Sequence, residues 1–235
     1  MVLAVNVAIL LLASGRGLRM GTKTPKVYLS VNGTPILSRS LARLARLTDD
    51  AQIVLAVHPD DRETHLKPLL PEFERQGLTD VVDGGDSRQE SMANALAACA
   101  ADRDLIVIHD AARPFFPIAA ARQALHRAGD VGAALLAVPV PDTLKRVDGE
   151  FRITETPDRT GIWLAQTPQV AQRHLLEDAL ARAQADGVQA SDDVALLERI
   201  GIPVEVVPST ARNIKVTVAA DLELAELLAQ LEDLS

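Results

Sequence analysis

The sequence predicts an α/β protein: a doubly wound, mostly parallel sheet of Rossmann-like type carrying one β-hairpin arm. Three observations predict it. Apolar runs that are nearly continuous, rather than alternating, recur as strands covered on both faces. Amphipathic stretches separate them, and β–α alternation of this kind builds a parallel sheet with right-handed crossovers. Loops bearing glycine or charge follow several of the runs, where open α/β sheets bind ligands.

The elements follow in order. Val5 to Ala13 is the first buried strand. Thr34 to Leu47 sets Leu37, Leu41 and Leu44 at helical spacing. Gln52 to His58 is a strand, and Asp60 to Gln76 a helix. Asp80 to Asp83 is a short strand, Ser87 to Ala101 a helix, Leu105 to His109 a strand and Pro117 to Ala128 a helix. Ala133 to Val140 returns to strand. Between Pro141 and Gly161 the pattern turns polar, with β-like pieces at Leu144 to Val147 and Phe151 to Thr154 joined around Asp148-Gly149. An Asp-Gly turn between such pieces predicts a hairpin. Its open edge calls for cover by a partner subunit, or else it stands solvated on a monomer. Val170 to Asp186 and Asp192 to Ile200 read as helices, Val204 to Val207 as a strand and Ala219 to Leu234 as a closing helix. No repeat or linker divides the chain, so residues 1–235 are expected to form one domain, with the arm at about 141–161.

Composition narrows the class. Apolar residues make up 48% of the chain but aromatic ones only 3%, so Leu, Val, Ile and Ala must build the core. One cysteine, Cys99, excludes an internal disulfide or a cysteine metal cage and suits a reducing compartment. The run Val7 to Ala13 is too short to span a bilayer and lacks the features of a secretory signal. A cytoplasmic location is the expectation.

The net charge is −8, which argues against a nucleic-acid partner. Yet the first 48 residues hold seven basic side chains and no acidic one: Arg16, Arg19, Lys23, Lys26, Arg39, Arg43 and Arg46. The last three fit the wet face of a helix. The other four crowd a glycine-bearing loop, which points to a small anionic ligand.

That loop is Ala13-Ser14-Gly15-Arg16-Gly17-Leu18-Arg19-Met20-Gly21, with Thr24-Pro25-Lys26 after it. Glycines straight after a buried strand let backbone N–H groups approach phosphate oxygens, and Arg19 and Lys26 can neutralise a triphosphate. The loop fits neither the P-loop spacing nor the dinucleotide fingerprint: Met20 stands where that fingerprint needs glycine, and no acid precedes Asp49. A second constellation is Asp83-Gly84-Gly85-Asp86-Ser87-Arg88-Gln89-Glu90-Ser91. Gly84-Gly85 permits close approach to a ring or ribose, Ser91 can touch the ligand, and Asp86 or Ser87 can cap the next helix. A third, His109-Asp110-Ala111-Ala112-Arg113-Pro114, sets a carboxylate at a strand end beside the polyphosphate, suited to Mg²⁺. His109 reads as a packing residue. In the fourth, Arg212-Asn213-Ile214-Lys215-Val216-Thr217, Lys215 either faces inward and needs an anionic partner or lies on a surface edge strand.

Taken together, these motifs resemble the 2-C-methyl-D-erythritol 4-phosphate cytidylyltransferases, whose fold is of the nucleotide-diphospho-sugar transferase type. Asp142-Thr143-Leu144-Lys145-Arg146, Asp158-Arg159 and Thr167-Pro168-Gln169 extend the match in register. The resemblance implies CTP as donor, with CDP-methylerythritol and pyrophosphate as products, and the expected cation is Mg²⁺ or another divalent ion. It implies that Arg19 and Lys26 stabilise the transition state and that Lys215 holds the α-phosphate. Ala13, Ser14, Gly15 and Gly17 then offer nucleotide backbone contacts, Gly85, Asp86 and Ser91 touch cytidine, and Asp110 is the metal ligand. Arg113, Thr143 and Arg159 bind the acceptor phosphate, the last two from the arm of a neighbouring subunit in a homodimer. The chain departs from the family's usual pattern at Leu12-Ala13-Ser14, where Pro-Ala-Ala is usual, and at Val27 and Arg212, where polar or acidic residues are typical.

A phosphomonoester acceptor carries its own negative charge, so attack on CTP needs no general base. That agrees with a sequence lacking a Ser–His–Asp or Cys–His arrangement. Three other readings compete: a ribitol 5-phosphate cytidylyltransferase, an NAD-binding oxidoreductase, and a nucleotide-binding regulator without catalysis.

Overall fold

Among the described residues, seven strands form the central sheet, which runs from edge to edge as β11 (Val204–Pro208), β7 (Ala133–Pro139), β10 (Trp163–Gln172), β6 (Leu105–Asp110), β1 (Val7–Ala13), β4 (Gln52–Val57) and β5 (Leu78–Asp83). The structure, a computed structural model, describes residues 6–16, 20–21 and 24–233. All neighbouring pairs are parallel except those of β10, which runs antiparallel to both β6 and β7. Two-residue strands β2 (Ser30–Val31) and β3 (Thr34–Pro35) pair with each other, as do β8 (Arg146–Val147) and β9 (Ile153–Glu155).

Burial on both faces explains the apolar runs. Along β1, Ile9 and Leu11 join one cluster while Ala8, Leu10 and Leu12 join the other. The first face is covered by α1 (Ile36–Leu44), through Leu37, Leu41 and Leu44, and by α4 (Ile118–Val131), through Ala121, Ala124 and Ala128. The second carries α3 (Arg88–Ala97), α5 (Arg173–Ala185) and α6 (Asp193–Arg199). The last helix, α7 (Ala219–Asp233), packs Ala225, Leu228 and Ala229 on Val31, Ile36 and Phe115.

Three expectations are corrected. Residues 170–172, read as helix, form the end of β10, a strand absent from the expected element list. Val170 and Ala171 are apolar enough for either state, and their place between β6 and β7 decides it. The expected helix from Asp60 to Gln76 is broken into a π-helical turn, Arg62–Leu66, and α2 (Leu70–Arg75). Pro68 accounts for the break, since it offers no backbone donor and its ring clashes with the preceding turn. Arg39 and Arg43 do not form a wet face. Both are largely buried under the end of α7, where they pair with Asp233 and Glu232 at 2.9 Å each.

Candidate active site

The carboxyl ends of β1, β4, β5 and β6 come level at one edge of the sheet, because register pairs Ala13 with Val57, Val57 with Asp83, and Leu12 with Asp110. From β1 the chain proceeds to β4 and β5 on one side and returns to β6 on the other. That reversal opens the crevice in which doubly wound folds hold ligands. Here it is a cavity of about 400 Å³.

Each wall comes from one loop. Ala13, Ser14, Gly15 and Arg16 follow β1, and Lys26 and Val27 open the short 3₁₀ turn Lys26–Tyr28. His58 follows β4, residues 85–88 follow β5, and Asp110 and Ala112 end β6. Lys215 closes the far side. Among the described lining residues, Arg16, Lys26, Arg88 and Lys215 outnumber Asp86 and Asp110. Such a cavity favours a polyanion.

The floor is braced by a hydroxyl network. Ser91 is buried and donates to Ser87 O (2.9 Å), while its Oγ accepts from Gly85 N–H (3.1 Å). Its one proton is thus used, so Ser14 is the donor in the 2.7 Å Ser14–Ser91 contact. Ser14, just past β1, thereby ties the end of that strand to the first turn of the helix Arg88–Ala97. Gly84 is required by this crossing: a Cβ there would stand 2.2 Å from Ser14 Cβ. Ser87 caps α3 in a reciprocal capping box with Glu90. Ser91 does not line the cavity. It supports Gly85 through the Gly85 N–H contact to its hydroxyl.

Asp110 is 8% exposed, and its carboxylate is ringed by cations. Oδ2 lies 2.6 Å from Lys215 Nζ and 3.9 Å from Arg113 Nε, and Oδ1 lies 3.0 Å from Arg88 Nε. Burial alone would raise this carboxyl, but Arg88 and Lys215 outweigh it and hold it well below the usual carboxylate range. Beside it, burial pushes His109 down to about 3, so the imidazole is neutral. Its ring nitrogens meet Thr167 Oγ1 (3.0 Å) and Arg113 O (3.1 Å), and it packs edge-on against Phe116. His109 is the packing residue the sequence indicated.

Lys215 lies neither on an inward strand face nor on an edge strand. It stands in an irregular segment outside the sheet, its side chain 39% exposed, and the anionic partner is Asp110. The segment is pinned on both sides of it. Asn213 Nδ2 donates to Gln166 Oε1 (2.9 Å) and Thr167 O (3.0 Å), and Val216 N–H donates to Ala112 O (2.9 Å).

Gly17 and Arg19 are outside the described residues. Arg113 does not line the cavity; its Nη1 donates to Asn213 O at 2.9 Å, behind Asp110. Thr143 and Arg159 are exposed on the arm and are not among this chain's cavity-lining residues, and Arg159 donates to Pro141 O. Residue-type reasoning overlooked Arg88 and His58. Both stood at carboxyl ends of strands or in quoted motifs, and that position was the available signal.

The described residues contain no group of three His, Cys, Asp or Glu side chains able to hold a metal. A cation at Asp110 would take its remaining ligands from phosphates and water, which is the usual manner of Mg²⁺. The donor set fits that mode.

Fold and site together define a Rossmann-like, nucleotide-binding α/β protein built for a phosphate-rich ligand. The family model of 2-C-methyl-D-erythritol 4-phosphate cytidylyltransferase matches residues 7–230, and the chain belongs to that family. It is 38% identical to the 2-C-methyl-D-erythritol 4-phosphate cytidylyltransferase of Syntrophus aciditrophicus, over 94% of each chain. It is also 38% identical to that of Geobacillus kaustophilus, over 95% of this chain and 96% of the other. The crystal structure of the Thermus thermophilus cytidylyltransferase superposes with a TM-score of 0.79 at 34% identity, covering 96% of this chain and 99% of that one. No helix among the described residues is long and apolar enough to cross a membrane.

Proposed function

We propose that this protein transfers the cytidylyl group of CTP to 2-C-methyl-D-erythritol 4-phosphate, releasing pyrophosphate, as a step of non-mevalonate isoprenoid synthesis. The observation that carries the reading is the cation-rich cavity at the switch point, closed by Lys215 against Asp110. A family match over nearly the whole chain supports it.

In this reading an oxygen of the acceptor phosphate attacks the α-phosphorus of CTP in line. The bond to the β-phosphate oxygen breaks, and pyrophosphate leaves with its electron pair. The protein supplies alignment and positive charge where negative charge develops. Lys26 and Arg19 take the bridging and leaving oxygens, and Lys215 takes the α-phosphate. Ala13, Ser14, Gly15 and Gly17 offer backbone to the nucleotide, while Gly85 and Asp86 face the nucleoside. Asp110 would hold Mg²⁺, which screens the triphosphate charge.

Acceptor binding completes the site from a second subunit. Phe151 is 87% exposed, and Val147 and Ile153 are exposed beside it, so the β8–β9 arm presents apolar surface that a second copy would cover. Thr143 and Arg159 on that arm, with Arg113, would contact the acceptor phosphate.

The experiment is pyrophosphate release with each of the four nucleoside triphosphates against 2-C-methyl-D-erythritol 4-phosphate and ribitol 5-phosphate. CTP with the methylerythritol phosphate should be the fastest pair by a wide margin. Equal turnover of ribitol 5-phosphate would reject the acceptor, and CTP binding without pyrophosphate release would reject catalysis.

A further inference from the structure

Arg88 opens α3 directly behind the loop that faces the nucleoside end of the cavity. Its guanidinium bridges two carboxylates: Nη1 lies 2.6 Å from Asp193 Oδ1, and Nε lies 3.0 Å from Asp110 Oδ1. Asp193 is the first residue of α6, does not line the cavity, and has a side chain only 3% exposed. Its other oxygen is buried without a hydrogen-bond partner, and Arg88 is its sole ion-pair partner among the described residues. Gln169 Oε1 accepts from the N–H groups of both Asp193 and Val194 at 3.1 Å, which fixes the backbone beneath it.

Stability does not account for such a pair. A buried ion pair is commonly no better than apolar residues of similar volume, whereas removing one partner strands a charge. Direction does account for it. With Nη1 held by Asp193, Nε is aimed at Asp110 Oδ1 and keeps that oxygen occupied. Asp110 Oδ2, shared with Lys215, is then the oxygen left to exchange partners when a metal-bound triphosphate arrives. We infer that Asp193 and Arg88 form a positioning pair that orients Asp110 for the donor nucleotide. This rests on the function proposed above, and pyrophosphate release by the unmodified protein is therefore established first.

The decisive variant replaces both charges, Arg88→Met with Asp193→Leu, so that no buried charge is stranded and Asp110 keeps Lys215 and Arg113. Circular dichroism and thermal melting would confirm its fold. Groups that orient metal ligands contribute about 10–100-fold to metal affinity or activity. A fall of that size is expected in kcat; KM for CTP should stay within about threefold of the unmodified protein in Asp193→Asn, which keeps the Arg88 charge in the cavity. Mn²⁺ binding in the presence of a non-hydrolysable CTP analogue, read by electron paramagnetic resonance, should weaken by a similar factor. Asp193→Asn alone, outside the cavity lining, should reproduce most of the loss. In an Arg88→Met background it should add less than about twofold, as coupling through one contact requires. If the double variant fails to fold, Arg88→Lys and Asp193→Asn carry the same readouts, because a lysine cannot span both carboxylates. Unchanged kcat and Mn²⁺ affinity in a folded variant, or additive losses, would overturn the inference while leaving the proposed reaction intact.

Discussion

Lys215 places its Nζ 2.6 Å from Asp110 Oδ2, joining the segment before the last helix to the end of β6. It adds to the Ser14–Ser91, Arg88–Asp110 and Arg113–Asn213 contacts that gather four motifs scattered along the chain. Through these contacts one carboxylate and several cations share a single cavity, and each has a physical reason for its place.

Lys215→Ala should separate catalysis from stability. The pair joins a partly exposed lysine to a buried carboxylate, and losing one partner of a buried acceptor costs about 1–3 kcal/mol. Asp110 also retains Arg88, so the melting temperature should move by only a few degrees. The rate should fall by about 10²–10³, the usual loss on removing one contact to developing charge. Steady-state kinetics and differential scanning calorimetry on the same preparation would check both halves. A proportionate loss of stability and rate would assign Lys215 a structural role.

Lys26→Ala and Arg19→Ala should each lower kcat by about 10²–10³ or more, with unchanged circular dichroism. A rate like that of the unmodified protein in either variant would reject its assigned part in the transition state.

Gly84→Ala tests the crossing of the two loops. Its Cβ would meet Ser14 Cβ at 2.2 Å, and overpacking of that kind costs about 1–3 kcal/mol. Ser14→Gly removes the obstructing Cβ, so the pair of changes should recover part of the lost stability in urea unfolding. No recovery would mean that something other than Ser14 sets the requirement for glycine.

Cys99 should be inert to thiol reagents at pH 8 in the folded protein. Burial pushes the thiol up to about 11 from its ordinary value of 9.0. Between those values the folded state keeps a proton that the unfolded state has lost, so this group's contribution to stability is full below pH 9 and vanishes as pH rises toward 11. Cys99→Ala should flatten that part of the alkaline stability curve. Rapid labelling at pH 8 without denaturant would contradict the burial.

Mixing two inactive variants tests the shared site. If the arm of one subunit serves the other, Arg159→Ala and Lys26→Ala chains reassociated together form hybrid dimers with one intact site. Statistical pairing should restore roughly a quarter of full activity. No recovery in demonstrated hybrids would place Arg159 with its own chain's cavity.

Much of this architecture was legible in the chain because its strands are buried on both faces. The run ending at Ala13 and the run Leu105 to Ile108 can hardly be anything but inner strands, and the residues after them mark the ligand edge. β10 was not legible. Its buried Thr167 and Gln169 break the apolar signal, and they are tolerated because Gln169 meets Asp192 and the backbone of α6, while Thr167 meets His109 and the Asp110 amide. The basic stripe of α1 misled for a related reason: helical spacing shows which residues share a face, but not that α7 would bring carboxylates to it. Arg88 stood in plain view within a quoted motif. Its meaning depends on Asp193, 105 residues onward, and no local pattern joins the two.

The most direct test is a crystal structure with a non-hydrolysable CTP analogue and Mg²⁺. The triphosphate should lie between the 13–26 loop and Lys215, with the cation at Asp110 and the base over Gly85. A nucleotide bound on any other surface, or Lys26, Asp110 and Lys215 left untouched by it, would contradict the account.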